Sequence, residues 1–535
     1  MMLVLPLLTV AAGAAKPNVL FIANDDLRPM ISRWPGGAYS YMQTPNLDAF
    51  LDDALLLTNS HVQQAVCGPS RASLLFGRRP GTTHVTDLYN NPREVGCADC
   101  LTIPGLFKEA GYFTLGMGKI FHDGHASNNQ DPQSWTDVNG TTTGENWFMG
   151  TSPCEPADAY WLEHATASED DIDAAEFSPS HSWNAVDENV TGLCRDSQVR
   201  EHGLLWIRRL AAARRAAARA GDAPQPFFLA VGFRKPHLPF VAPQRFFDLY
   251  DPELTALAPN PFAPSDMPPV AYASYELQNY GDVAALNFSG HINETLPDWK
   301  ALELVRAYQA ALSYTDSNFG ALLDALKAEQ LWNSTVVCFW GDHGWKLGHH
   351  GAWAKHTNFE EDTLSPVLLR IPRVTDGLGL VSDALVEHVD LMATLVEVAG
   401  LPAVPVCPED EPWQTSRCTE GLSLLPLVSN PARPWKNASY SLYPRGGDPP
   451  SIMGYSMRMA TLRFTAWVDF DATHNMTEWT MLSAKCGFEL YNLTSDPLEN
   501  TNLAYQQQHL ASVQRHFGQL RAGWRATASA VGFPR

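Results

Sequence analysis

With 535 residues, 45% hydrophobic and 18% charged, the chain can bury a large core, and its composition excludes a fibrous, repetitive or disordered protein. A net charge of -21 excludes a nucleic-acid binder that neutralises phosphates through broad Lys and Arg surfaces, so an anionic substrate has to meet a local basic pocket. The first fifteen residues, MMLVLPLLTVAAGAA, pair an apolar run with a small-residue ending suited to cleavage after Ala14 or Ala15. They read as a signal peptide or as the frayed start of the first strand. Beyond them no run approaches the roughly 20 apolar residues of a membrane helix, so no transmembrane segment is expected.

NVLFIA (18–23), YFTLGMG (112–118), PFFLAVGF (226–233) and STVVCFWG (334–341) have strand length, and helical patterns cover 204–220, 300–328 and 388–400. This alternation predicts an α/β fold: a large, mainly parallel mixed sheet between helix layers. Residues 123–200 are polar and aperiodic and read as a long surface excursion. Pro, Cys and Ser dominate 402–436, which reads as a linker. After it, 454–470 and 486–496 alternate like antiparallel strands before a closing helix near 503–525. The division expected is therefore 1–15, a main domain over 16–436, and a smaller α+β subdomain over 437–535.

Sequons start at Asn139, Asn189, Asn287, Asn293, Asn333, Asn437, Asn475 and Asn492, a density that fits a glycoprotein of the secretory route, lysosomal or extracellular. Nine cysteines are an odd number for such a chain. Cys154 with Cys194 and Cys407 with Cys418 are the favoured bridges. Cys97 and Cys100 read as a loop pair or as a metal hook, without a second C-x-x-C to complete a zinc site.

Ligands of open α/β sheets sit beyond the carboxyl ends of the strands. The first strand ends in Asn24, Asp25 and Asp26; the next reaches GKIFH, with Lys119 and His122; the third reaches RKPHLPF, with Lys235 and His237. The fourth reaches GDHGWKLGHHGAWAKH, with Asp342, His343, Lys355 and His356. Each alone suits a cap, a turn or a solvated charge. Together they would repel unless a cation held the carboxylates and an anion held the lysines. Three carboxylates suit Ca2+ or Mg2+, whereas His343 would suit Zn2+ or Mn2+; the carboxylate majority favours Ca2+. In CGPSRASLLFG (67–77), Pro69 marks the first turn of a helix and puts Cys67 at its N-terminus, where backbone donors favour an anion and Arg71 adds a charged fork. A buried thiol, or half a disulfide, beside a surface arginine fits the same spacing.

This stretch resembles the C-x-P-S-R-x-x-L-L-x-G signature of the type I sulfatases, in which the cysteine is oxidised to formylglycine. NDDLRP, QQAVCGPSR, GRRPGTTH, GKIFH, FFLAVGFRKPHLPF, DHGWKLGHHGAWAKHTNF, IMGYSMR and ELYNLTSDPLEN resemble the iduronate-2-sulfatase branch in order and spacing. Removing Cys67 from the thiol count leaves eight. The resemblance implies an alkaline-phosphatase-like α/β fold with a C-terminal subdomain, a catalytic domain over 16–436, a sulfated carbohydrate substrate, and a formylglycine-generating enzyme as maturation partner. It implies a cation held by Asp25, Asp26, Asp342, His343 and residue 67. The hydrated aldehyde at 67, activated by Asp26 and oriented by Arg71, would attack sulfur. Lys119, Lys355 and His237 would grip the sulfate, and His237 or Lys355 would protonate the departing oxygen. His122 would deprotonate the second hydroxyl to expel sulfate and restore the aldehyde. Trp345, His356 and Arg445 are implied substrate contacts. The family's lysine is missing from YPRGGDPPSIMGYS, where Arg445 is the cation present, and His356 replaces a tyrosine, so the sugar is left open. A phosphatase or phosphodiesterase of the same superfamily, or a glycan-binding protein with Cys67 unmodified, are the alternative readings.

Overall fold

The computed structural model describes residues 16–136, 147–148, 181–189, 191–473, 475–479 and 487–528. The expected signal peptide, Asn139 and Cys154 lie outside the described residues, as do Cys486 and much of 123–200.

In chain order the main elements are β1 (Asn18–Asp25), β2 (Leu55–His61), α1 (Cys67–Phe76), β3 (Phe113–Gly118), α2 (Arg195–Ala220), β4 (Phe227–Pro236) and α3 (Asp298–Ala328). β5 (Thr335–Gly341), β6 (Val367–Arg370), β7 (Leu380–Glu387) and α4 (Asp390–Val398) complete the first part. β8 (Ala438–Arg445), β9 (Ile452–Met459), β10 (Leu462–Asp471), β11 (Gly487–Asn492) and α5 (Leu510–Ala528) follow.

The large sheet runs β7-β2-β6-β5-β1-β4-β3, with Trp147–Phe148 paired outside β3. β5, β1, β4 and β3, the four runs legible as buried strands, lie side by side and parallel. They are apolar throughout because both faces are covered. The two-residue period sorts their side chains. Leu20, Ile22, Leu229, Val231, Val337 and Phe339 pack under α2 and α3, while Val19, Phe21, Phe228, Ala230, Cys338 and Trp340 pack under α1 and α4. β6 is antiparallel to both neighbours, which makes the sheet mixed. This is the alkaline-phosphatase-like fold, and β8 to β11 form its smaller antiparallel C-terminal sheet.

Four expectations change. Residues 402–436 are not a bare linker: Leu424, Leu427 and Trp435 are buried against the α4 side of the sheet, because an apolar stretch is hidden among the prolines. The surface excursion ends early, since Trp183–Val186 pairs with Phe240–Pro243 and α2 begins at Arg195. The eight cysteines besides Cys67 do not all pair, because Cys338 is also unpaired, buried in the middle of β5. The other cysteines among the described residues are bridged. Cys407–Cys418 is a disulfide, Cys97–Cys100 is a disulfide and not a metal hook, and Cys194 is disulfide-bonded while its expected partner Cys154 is not described. The closing helix begins at Leu510, later than expected, with a break at Gly523.

His61, at the end of β2, is 0% exposed with neither ring nitrogen hydrogen-bonded. Burial lowers its pKa from 6.5 to about 3, with Glu360 and Glu387 opposing and Arg458 and Arg463 reinforcing. Below about 6.5 the unfolded chain takes up a proton that the fold refuses until about 3, so this contribution is complete above 6.5 and falls with acidification. The slope is up to about 1.4 kcal/mol per pH unit. His61→Leu is expected to flatten the drop in Tm between pH 7 and pH 5; an unchanged slope rejects the assignment.

Candidate active site

The carboxyl ends of β1, β3, β4 and β5 converge on the N-terminus of α1. Val66, extended and without a side-chain cap, leads into Cys67 as the first helical residue, and Pro69 closes the first turn. At the β3 end, Gly118 has φ +67°, and a Cβ there would lie 1.8 Å from the Gly232 carbonyl oxygen. Only glycine lets β3 pass so close to β4 and turn Lys119 inward.

Cys67 Sγ lies 3.2 Å from Asp25 Oδ1 and 3.4 Å from His343 Nε2. Lys119 Nζ stands 2.8 Å from Asp25 Oδ2, and Lys355 Nζ 3.3 Å from Asp26 Oδ1. Arg71 Nε donates to Asp342 Oδ2 at 2.8 Å, with its Nη2 3.6 Å from Asp25 Oδ1. Nη1 donates to the Ile120 and Lys119 carbonyls. Asp342 Oδ1 in turn accepts the backbone N–H groups of Asp26 and His343 at 3.0 and 2.9 Å. Asp26 is held at φ 58°, a strained left-handed turn, with its carbonyl accepting the Tyr308 hydroxyl at 2.7 Å.

Two imidazoles have assignable tautomers. His343 Nδ1 donates to the Gly344 carbonyl at 2.9 Å, which leaves its Nε2 lone pair facing Cys67. His237 Nδ1 donates to the Leu238 carbonyl at 2.6 Å, and its Nε2 faces Lys355 at 3.4 Å. His122 Nδ1 lies 3.3 Å from the Asp123 carbonyl oxygen. Burial, aided by Lys119, lowers its pKa to about 3, so the ring is neutral at neutral pH.

Donor atoms of Asp25, Cys67, Asp342 and His343 all lie within 4.8 Å of one another, as do those of Asp26, Cys67 and His237. The carboxylates do not balance without help. Burial raises the Asp25 pKa, but Lys119, His237 and Arg71 bring it well below the usual range. Burial and the charges of Asp25, Glu276 and Asp342 push Asp26 well above it, against the pull of Lys355. Asp25 Oδ2 and Asp26 Oδ1 meet the ammonium groups of Lys119 and Lys355 as ion pairs without an aligned hydrogen bond. Hard oxygen donors converging with an imidazole lone pair fit a divalent cation.

Beyond this cluster rises a wall that includes one residue without a sequence signal. Glu276, a lone acid in an irregular loop with φ 103°, places Oε1 3.0 Å from Lys355 Nζ and 2.8 Å from His356 Nε2. His356 Nδ1 meets the Tyr443 hydroxyl at 2.5 Å, and its ring stacks on Tyr275 with centroids 4.1 Å apart. Tyr443 belongs to β8, so the C-terminal sheet completes the wall. Two implied substrate contacts are placed differently from expectation. Trp345 is 0% exposed and lies beneath Lys355, whose Nζ is 4.9 Å from the ring centre, so it supports the lysine from below. Arg445 lines the neighbouring cleft with its guanidinium tied to the protein frame: Nε, Nη1 and Nη2 donate to the carbonyls of Val270, Pro444 and His356.

The family model described as Sulfatase matches residues 17–401. Iduronate 2-sulfatase of Mus musculus is 34% identical over 541 residues, covering 92% of this chain and 91% of that one. Among solved structures, a phosphonate monoester hydrolase from Silicibacter pomeroyi superposes with a TM-score of 0.67 at 20% identity, covering 96% of both chains. A 2-O GAG sulfatase superposes with a TM-score of 0.65 at 18% identity, covering 95% of this chain and 91% of that one.

Proposed function

The chain belongs to the sulfatase family, in its iduronate-2-sulfatase-like branch, and on that premise we propose that this sulfuric ester hydrolase cleaves a carbohydrate sulfate with residue 67 as formylglycine. The observation that carries the reading is the convergence of position 67 on Asp25 and His343, at 3.2 and 3.4 Å, with two lysines against the adjoining carboxylates. When present, a Ca2+ ion held by Asp25, Asp26, Asp342 and His343 would draw charge from the sulfuryl oxygens, and the hydrated aldehyde would supply the nucleophilic oxygen.

The chain's own residues do the rest. Arg71, fixed by Asp342 and two carbonyls, sets the orientation of residue 67. Lys119, Lys355 and His237 receive the sulfate. Lys355 stays protonated, since Asp26 and Glu276 outweigh its burial, and its proton reaches the departing oxygen directly or through His237 Nε2. His122, neutral, takes the proton whose removal frees sulfate. A formylglycine-generating enzyme is the maturation partner. The secretory route, lysosomal or extracellular, is supported by the exposed asparagines of six sequons, those at 189, 287, 293, 333, 437 and 475; Asn492 is half-buried at the end of β11.

The test is hydrolysis of an aryl sulfate against the matching aryl phosphate. The sulfate is expected to be faster in kcat/KM by at least about 100-fold. Equal rates, or preference for the phosphate, reject the reading in favour of a phosphohydrolase.

A further inference from the structure

A cavity of about 540 Å³ opens beside Val66, the residue before the proposed nucleophile, and reaches His356, Tyr275 and Tyr443. Its size suits one or two sugar rings. Its charges are the informative feature. Asp87 and Asp448 line it, and Glu276 stands behind His356. Asp87 is held in place by the backbone N–H groups of Tyr89 and Asn90, which donate to its Oδ1 at 2.9 and 2.7 Å. Asp448 is exposed.

Among the described residues that line this cavity, Arg445 is the one Lys or Arg. Each of its guanidinium nitrogens donates to a main-chain carbonyl, which commits three of its five N–H donors and turns the Nε–Nη2 edge of the fork onto the protein frame. His356 is hydrogen-bonded through both ring nitrogens. Lys119 and Lys355 lie deeper, against Asp25 and Asp26. A ring carboxylate in this cleft would meet the carboxylates of Asp87 and Asp448, with Glu276 behind His356, against a single guanidinium already engaged by three carbonyls.

We infer that the cleft selects a sulfated sugar whose entering ring lacks a carboxylate: the exposed ring of Tyr275 takes its apolar side, and Asp87 and Asp448 its hydroxyl or amino groups. This rests on the sulfatase reading above and deepens it. The chain thus departs from the substrate that its relative's name describes.

The experiment uses the full-length protein and a matched pair, the methyl glycoside of 2-O-sulfated iduronate and its carboxyl-reduced counterpart. Each is titrated as a competitor of aryl sulfate hydrolysis. The carboxyl-reduced compound is expected to have a Ki at least about tenfold lower. Asp448→Lys is expected to lower the Ki of the uronate about threefold or more and to raise that of the neutral compound, whose hydroxyl loses a carboxylate acceptor. Equal Ki values, a preference for the uronate, no competition by either, or an effect of Asp448→Lys shared by both compounds overturns the inference while leaving sulfate hydrolysis standing. Failure to hydrolyse the aryl sulfate, with residue 67 verified as formylglycine, removes the sulfatase reading and the inference with it.

Discussion

Cys67→Ala is expected to lower kcat/KM on an aryl sulfate by about 10⁴-fold or more, while Tm moves by only a few degrees. The side chain is 3% exposed at the head of α1, and its removal deletes one buried atom, a loss of about 1 kcal/mol. Its chemical role is another matter. Burial and the charge of Asp25 push the thiol pKa well above its ordinary value, so an unmodified Cys67 is a neutral thiol and a poor nucleophile. Activity must then follow the fraction of chains carrying the aldehyde, measurable as a peptide about 18 Da lighter than the cysteine form. Serine at 67 is expected to be as inactive as alanine, since one hydroxyl offers no second proton for His122 to remove. Full activity in protein with an intact thiol, or in the alanine variant, would sink the mechanism.

How much of this was legible beforehand follows from where each signal lives. β1, β3, β4 and β5 could be read because burial on both faces makes each a continuous apolar run, and the polar residues that follow each run are the ones that meet. β2 and β6 have no comparable mark: LLLTNSH passes into polar residues after three leucines, and β6 is only four residues long. Glu276 reaches Lys355 across 79 residues of sequence through a loop without periodicity. Tyr443 enters from another sheet. Such contacts are products of tertiary packing, and no local pattern announces them. Cys338 misled for a related reason: counting thiols treats them as equivalent, whereas a cysteine pointing into the core beside Phe21 and Trp340 is a small hydrophobe. Trp345 and Arg445 were placed on the substrate by resemblance; the local packing directs one beneath Lys355 and the other onto backbone carbonyls.

Arg71→Ala is expected to cost about 3–5 kcal/mol of stability, because it removes one member of a buried ion network and leaves the others uncompensated. The guanidinium is fully buried, bonded to Asp342 at 2.8 Å and stacked over Trp340 at 5.6 Å. Without it, the Ile120 and Lys119 carbonyls lose a donor, and Asp342 loses the partner that offsets its charge. Lysine at 71 separates structure from catalysis. An ammonium restores the charge but not the fork that bonds Asp342 and two carbonyls at once. Arg71→Lys is therefore expected to recover more than half of the Tm loss while kcat remains about 100-fold down with KM little changed. A wild-type kcat in the lysine variant would reduce Arg71 to a counter-charge, and an unchanged Tm in the alanine variant would show that the acidic cluster at the end of β1 is stable without it.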